Sequence, residues 1–304
     1  MNSFFSIKNL VKFVIFICCI YLIKSKFNYD VNTLFDLVIL INLPLYFSSI
    51  ILISISFILA IFKWELLFGK EFNFLRFKVL LLACLKGVFI SNFLFGSLFG
   101  DLFRVHEQSK GLKLSFNQSL AIAIADRFYT LFFYVIFAFI LIILLNRPIT
   151  QSFDVLFYLL VVIFLMASSF LCVLILRSFK VYDFYKNMNY HPNANKIFAY
   201  ACYSFFSSLC IGLSFYLILY SIGGKISINY LGNILAGLLA NYLPISFAGW
   251  GVREISLSLV LARFSNNNFI INSSILFGLA NAIIGLMGGI LYFGLKKSLM
   301  VKSK

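Results

Sequence analysis

Apolar residues in this chain fall in long blocks, not at every second position or along one helical stripe. A helix that crosses a bilayer needs roughly 20 such residues, because each adds about 1.5 Å across a hydrocarbon layer of about 30 Å. Six runs are long enough or nearly so: about 7–23, 37–62, 119–145, 154–176, 197–221 and 270–295. They predict six full spans. Two further apolar runs, about 79–99 and 230–250, carry polar residues inside them and end in a glycine-containing break. Gly96, Gly100, Pro244, Gly249 and Gly251 supply the breaks, since glycine accepts unusual dihedrals and Pro244 lacks a backbone donor.

The two broken segments resemble each other. Setting residue n against n+149 pairs Asn92 with Asn241, Ser97 with Ser246, Gly100 with Gly249 and Arg104 with Arg253. The same offset carries 119–145 onto the last span and 7–23 into the fourth, while the second span maps about ten residues off. The predicted fold class is an all-α polytopic membrane protein with six full spans plus two re-entrant helical hairpins, about eight hydrophobic segments, in an inverted repeat. It forms one domain over 1–304, with internal halves of about 1–150 and 151–304.

Charge supports the re-entrant topology. With the N-terminus in the cytoplasm and both broken segments returning to their own side, the inner face collects 17 Lys and Arg residues and the outer face six. If both broken segments crossed fully, the split would be 12 against 11. The positive-inside tendency selects the first arrangement and places both termini in the cytoplasm of a cell (inner) membrane. Lys8 and Lys12 before the first run imitate a signal peptide, but no small-residue cleavage site follows, so it is read as a retained span.

Composition agrees. Of 304 residues, 62% are hydrophobic, 39 are Phe and only 12% are charged, more apolar surface than a soluble globule can hide. The net charge of +15 sits mainly in the short gaps between apolar runs, which argues for topology signals and against nucleic acid. Cys18, Cys19, Cys84, Cys172, Cys202 and Cys210 lie in or beside apolar runs without a paired spacing, and His106 and His191 are far apart. No metal site or other cofactor is expected. No nucleophile–base motif or phosphate loop appears, and no enzyme activity is expected.

Candidate chemistry lies in the charged residues at membrane depth. A broken helix there is tolerated only where protein or water surrounds it, and matched breaks in inverted halves mark a midplane binding site. Lys86 is roughly 10 Å into its segment at 1.5 Å per residue, and Asp126 and Arg127 are similarly deep in theirs. Such groups face a cavity or a partner, and a Lys86–Asp126 ion pair between two helices is the plainer alternative. Asp101 and Arg104 follow the first break, Arg253 and Glu254 the second. The planar guanidinium fork suits phosphate, and the acids would orient the bases or couple a proton. Surface charge reaching the headgroups is the alternative, stronger for Arg104 than for Arg253.

Three motifs carry a family resemblance: GDLFR at 100–104, ADRF at 125–128 and PISFAGWGVRE at 244–254. In order and spacing they are similar to the lysylphosphatidylglycerol synthase transmembrane family, over nearly the whole chain, although Phe95 stands where many members have Pro. The resemblance implies a flippase-like domain. In the namesake enzymes this region moves an aminoacylated phospholipid, and a separate cytosolic domain makes it. A chain ending at Lys304 is expected to lack that synthase activity. Stand-alone members are similar to proteins of envelope glycan synthesis, with polyprenyl-phosphate or glycolipid carriers as substrates.

The expected function is therefore translocation of an anionic or phosphate-bearing lipid (phospholipid, glycolipid or polyprenyl-phosphate carrier) between leaflets. Arg104, Arg127 and Arg253 would hold the phosphate with Lys86 assisting. Asp101, Asp126 and Glu254 would steer those bases, and Pro244, Gly249 and Gly251 would shape the second turn. The competing expectation is a non-transporting membrane partner of a glycosyltransferase or other envelope-biosynthesis protein.

Overall fold

The computed structural model describes residues 41–68, 72–95, 97–145, 194–242 and 250–301. The predicted spans 7–23 and 154–176, the break residues Gly96, Pro244 and Gly249, and Ser246 lie outside them. The described residues form eight α-helices and no strand. They are α1 (Leu43–Leu66), α2 (Phe74–Ile90), α3 (Ser97–Leu112), α4 (Phe116–Leu145), α5 (Ala194–Ser221), α6 (Leu231–Leu238), α7 (Val252–Leu261) and α8 (Asn267–Val301).

Local chemistry sets several helix starts. Asn42 caps α1 by accepting from the Leu45 N–H, with Pro44 in the first turn where its missing donor costs nothing. Asn73 Oδ1 accepts from the N–H groups of Leu75 and Arg76 at the head of α2. Ser115 and Gln118 cap α4 reciprocally, each backbone N–H donating to the other's side chain. Four described helices are long and apolar enough to cross a bilayer: within α1, α4, α5 and α8. They correspond to the predicted spans 37–62, 119–145, 197–221 and 270–295. Along α1, Phe47, Ile51, Ile55 and Ile58 are exposed at helical spacing, an apolar stripe of the kind hydrocarbon covers.

Both broken segments are helical with an interruption. The first is α2, a π-helical stretch over Ser91–Phe95, and then α3. A π-turn inserts one residue into the ladder, so this interruption forms with Phe95 and without a proline. The chain then runs back along itself: Gly100 packs on Gly87, Arg104 reaches Cys84, and Gly111 packs on Val79, so α2 and α3 are antiparallel. The second segment is a 3-10 turn, α6, and another 3-10 turn over Leu239–Tyr242, then α7. Gly237 packs on Leu257, and the Ser256 hydroxyl donates to the Gly237 carbonyl at 2.6 Å.

The long helices frame these pairs. α1 and α5 pack antiparallel: the Asn42 N–H donates to the Ser221 carbonyl, Ser56 bonds Ser207, and Lys63 lies over the Tyr200 ring. α2 packs on α8, and α6 packs on α4. α3 also touches α4, and α7 touches α8. The largest buried cluster joins α1 and α5 to α6, α7 and α8 through residues such as Phe215, Leu238, Leu257 and Phe277.

The α2–α3 crossing has no room to spare. A Cβ on Gly87 would sit 2.1 Å from Arg104 Cγ and 3.0 Å from the Gly100 carbonyl oxygen. Gly87→Val is expected to destabilise the protein by about 1–3 kcal/mol through overpacking, and to move Arg104. Thermal unfolding in detergent measures the first effect. An unchanged midpoint would show that the crossing yields freely.

Candidate functional site

Charged side chains inside the bundle fall into four groups. Three are each built on one ion pair among the described residues. Arg76 of α2 bonds Glu65 of α1, its Nε donating at 2.9 Å. Lys86 of α2 bonds Glu107 of α3, which also accepts from the Tyr292 hydroxyl at 2.7 Å. The Lys86 ammonium lies 5.3 Å from the Phe103 ring centroid and 5.4 Å from that of Tyr292. Lys86 therefore pairs with Glu107 and not with Asp126. The hairpin brings together residues separated by 21 positions, a pairing invisible in the sequence.

The third pair is Arg253–Glu254, 2% and 3% exposed. Arg253 Nη2 donates to Glu254 Oε1 at 2.9 Å, and its Nε donates to Ser274 Oγ at 2.8 Å. Ser274 in turn donates to Glu254 Oε1 at 2.6 Å. The other carboxylate oxygen accepts from the Gly251 N–H at the head of α7. Gly251 has φ of +86°, which L side chains rarely adopt, so glycine lets the chain turn into α7 here. The guanidinium is 5.3 Å from the Trp250 ring and 5.5 Å from that of Phe277.

The fourth group is larger. Asp101 of α3 takes two bonds from Arg127 of α4, at 2.7 and 3.0 Å, and one from Arg104 at 3.3 Å. Arg104 Nη2 also donates to Cys84 Sγ at 3.2 Å, and its guanidinium lies 4.6 Å from the Trp64 ring. Asp126 accepts from the Tyr200 hydroxyl at 2.8 Å. Tyr200 bonds Thr130 at 2.9 Å, and Thr130 accepts from Lys63 at 3.1 Å. Lys63 is 3% exposed and within electrostatic reach of Asp126, Arg127 and Arg104.

Among the described residues this group has three cations, Lys63, Arg104 and Arg127, against two carboxylates, Asp101 and Asp126. It also holds two buried donors with no partner among the described residues, Arg104 Nε and Trp64 Nε1. A buried donor left unmade costs about 1–3 kcal/mol, so such sites are commonly completed by something else. An anion would offset the excess charge. Beside the group, an apolar pocket is lined by Leu66, Leu67, Tyr129, Phe133, Lys196 and Tyr200.

Of the candidate residues, Asp101, Arg104, Asp126 and Arg127 are placed together. Lys86 stands in a separate pair, Arg253, Glu254 and Gly251 stand in another, and Pro244 and Gly249 are outside the described residues. Sequence reading missed Lys63, Trp64, Thr130 and Tyr200. Lys63 offered a signal, since it follows a long apolar run in the string KWE. The two tryptophans of the chain each lie against one of the arginines matched by the 149-residue offset.

Long apolar helices around a buried, hydrogen-bonded charge layer define a multi-pass protein embedded in a membrane. Residues 9–289 match the family model described as lysylphosphatidylglycerol synthase TM region, and the chain belongs to that family. A search of curated proteins gives no match.

Proposed function

We propose that this protein translocates a lipid with an anionic, phosphate-bearing headgroup between membrane leaflets. The observation that carries the reading is the group with one unmatched positive charge and two unpartnered donors. The other buried charges among the described residues each have an opposite charge at hand. The phosphate would bind Arg104 and Arg127, with Lys63 adding long-range attraction, and Asp101 would hold the two arginines when no headgroup is present. Hydrocarbon in the pocket beside Tyr200 would keep the lipid tail in an apolar phase. Arg253–Glu254 would fasten the second hairpin to α8 in this state. The chain would act by binding and movement, without covalent chemistry.

An inverted repeat with two re-entrant hairpins fits this role, because it gives a midplane site two equivalent routes of access. Its support is the pattern of packing. At the 149-residue offset α1 falls on α5, and these two helices run antiparallel against each other. The contacts α2–α8 and α6–α4 exchange under the same offset, as do α3–α4 and α7–α8. The Lys and Arg distribution favours an inner-membrane location with cytoplasmic termini.

The test is a scramblase-type assay in proteoliposomes with labelled phosphatidylglycerol and labelled phosphatidylcholine. The anionic lipid is expected to exchange leaflets faster than in protein-free vesicles, and faster than the zwitterionic one. Arg104→Ala should remove most of that excess, since truncating one member of a buried charged contact costs about 2–5 kcal/mol. Equal rates with and without protein would remove the transport reading.

A further inference from the structure

We infer that Lys63, Thr130, Tyr200 and Asp126 form a proton wire that switches the charge of Asp126 and thereby the anion affinity of Arg104 and Arg127. The inference rests on the anion-site reading above and assigns that site its regulation.

The hydrogen-bond directions carry the argument. A lysine ammonium has only donors, so Thr130 Oγ1 must accept from Lys63. The one hydroxyl proton of Thr130 is then free to point at Tyr200, 2.9 Å away. The one hydroxyl proton of Tyr200 has Asp126 Oδ1 as its nearer acceptor, 2.8 Å away, against 3.1 Å for the Asp126 backbone carbonyl. All three bonds run from the ammonium to the carboxylate. If each proton moves one bond along, every contact survives with its direction reversed. One N–H bond of Lys63 breaks as a Thr130 O–H forms, Thr130 gives its original proton to Tyr200, and Tyr200 gives its own to Asp126. Ammonium and carboxylate become amine and carboxylic acid, with no electron transfer and no heavy atom displaced. Both end states keep the three hydrogen bonds of the wire, and the second holds no separated charge in a place where charge is expensive.

The two ends have different surroundings. Lys63 and Tyr200 are each 3% exposed, whereas the Arg127 side chain beside Asp126 is 38% exposed. Asp126 faces Arg127 on its own helix, Tyr200 on α5 and the nearby cations Lys63 of α1 and Arg104 of α3. Asp101 lies across the two arginines, and Tyr242 at the end of the second hairpin is within electrostatic reach of Asp126 and Arg127. While Asp126 is a carboxylate, it opposes an incoming phosphate and offsets Arg127. Once protonated it does neither, and only Asp101 faces the two arginines. The wire leaves the total charge of the group unchanged. It withdraws positive charge from the sealed end and negative charge from the open end, so the site becomes more attractive to an anion. A bound headgroup should therefore hold Asp126 protonated.

Infrared difference spectra test this, taken on the full chain in phosphatidylcholine nanodiscs on adding short-chain phosphatidylglycerol, with binding followed by native mass spectrometry. Lipid binding to the wild type is expected to produce the carbonyl band of a protonated carboxylic acid. Asp126→Asn should lose the band. Tyr200→Phe and Thr130→Val should lose it too, whereas Thr130→Ser, which keeps the hydroxyl, should retain it. A merely structural role for these hydroxyls predicts altered stability with the band intact. Lipid binding without the band in the wild type, or a full band in Tyr200→Phe, overturns the wire and leaves the anion site standing. Absence of binding in the wild type overturns both.

Discussion

Replacing Glu254 with alanine should cost about 3–5 kcal/mol of stability, the loss typical when one partner of a buried ion pair is removed. The carboxylate is the hub of its cluster: it accepts from Arg253, Ser274 and the Gly251 N–H. Without it, a guanidinium 2% exposed keeps Ser274 and two aromatic rings for company but has no counter-charge. The head of α7 loses its side-chain cap at the same time, which adds about 1 kcal/mol. The damage should spread, because this cluster ties α7 to α8. Glu254→Gln keeps acceptor and shape and should lose less. Glu254→Leu combined with Arg253→Met should recover much of the alanine loss, since a well-packed apolar pair can replace a buried ionic one. Chemical denaturation in detergent gives all three values. An alanine cost below about 1 kcal/mol would mean that water reaches the pair and shields it.

That cluster also shows what the sequence can and cannot disclose. Arg253 and Glu254 stand out by residue type, being charged in an apolar stretch, and the offset of 149 links Arg253 to Arg104. Their roles do not follow from that symmetry. Arg253 has a carboxylate as its immediate neighbour and a serine from α8, so its charge is matched. Arg104 must share Asp101 with Arg127 and turns otherwise to a thiol and an indole. Equivalent positions therefore have unequal surroundings, set by an adjacent acid in one case and by Arg127, Cys84 and Trp64, 20 or more positions from Arg104, in the other.

The long helices were legible because apolar length is a local property: α4 and α5 begin three residues before their predicted spans, 119–145 and 197–221. The helical form of the described parts of the broken segments was legible from the length of their apolar runs. The register within each hairpin is not legible, since only the continuation of α3 to Leu112 carries Glu107 to Lys86. Tyr200 and Thr130 carry no charge and sit among many aromatic and hydroxyl residues. Only packing of α5 against α1 and α4 distinguishes them. Lys63 follows the apolar run and so reads as a flanking charge, whereas α1 continues through Leu66 and keeps its ammonium inside the bundle.

Asp101→Asn should separate binding from movement. Asp101 is the carboxylate shared by the two guanidiniums, with Arg127 at 2.7 Å and Arg104 at 3.3 Å. The amide keeps its shape and one acceptor but removes a negative charge, so the group rises from one unmatched positive charge to two. A unit charge about 4 Å away contributes about 4 kcal/mol at an effective dielectric of 20. Even a third of that corresponds to about tenfold tighter binding of an anion. Release is opposed by the same amount, because the carboxylate that would take the arginines back is gone. The variant is therefore expected to retain more phosphatidylglycerol through purification, measured by mass spectrometry, and to move it between leaflets about tenfold more slowly than the wild type. Arg127→Gln should show the reverse in binding, with less retained lipid. If Asp101→Asn instead lost both lipid and transport while remaining folded, Asp101 would be a contact for the headgroup, and its role as the internal stand-in for phosphate would be wrong.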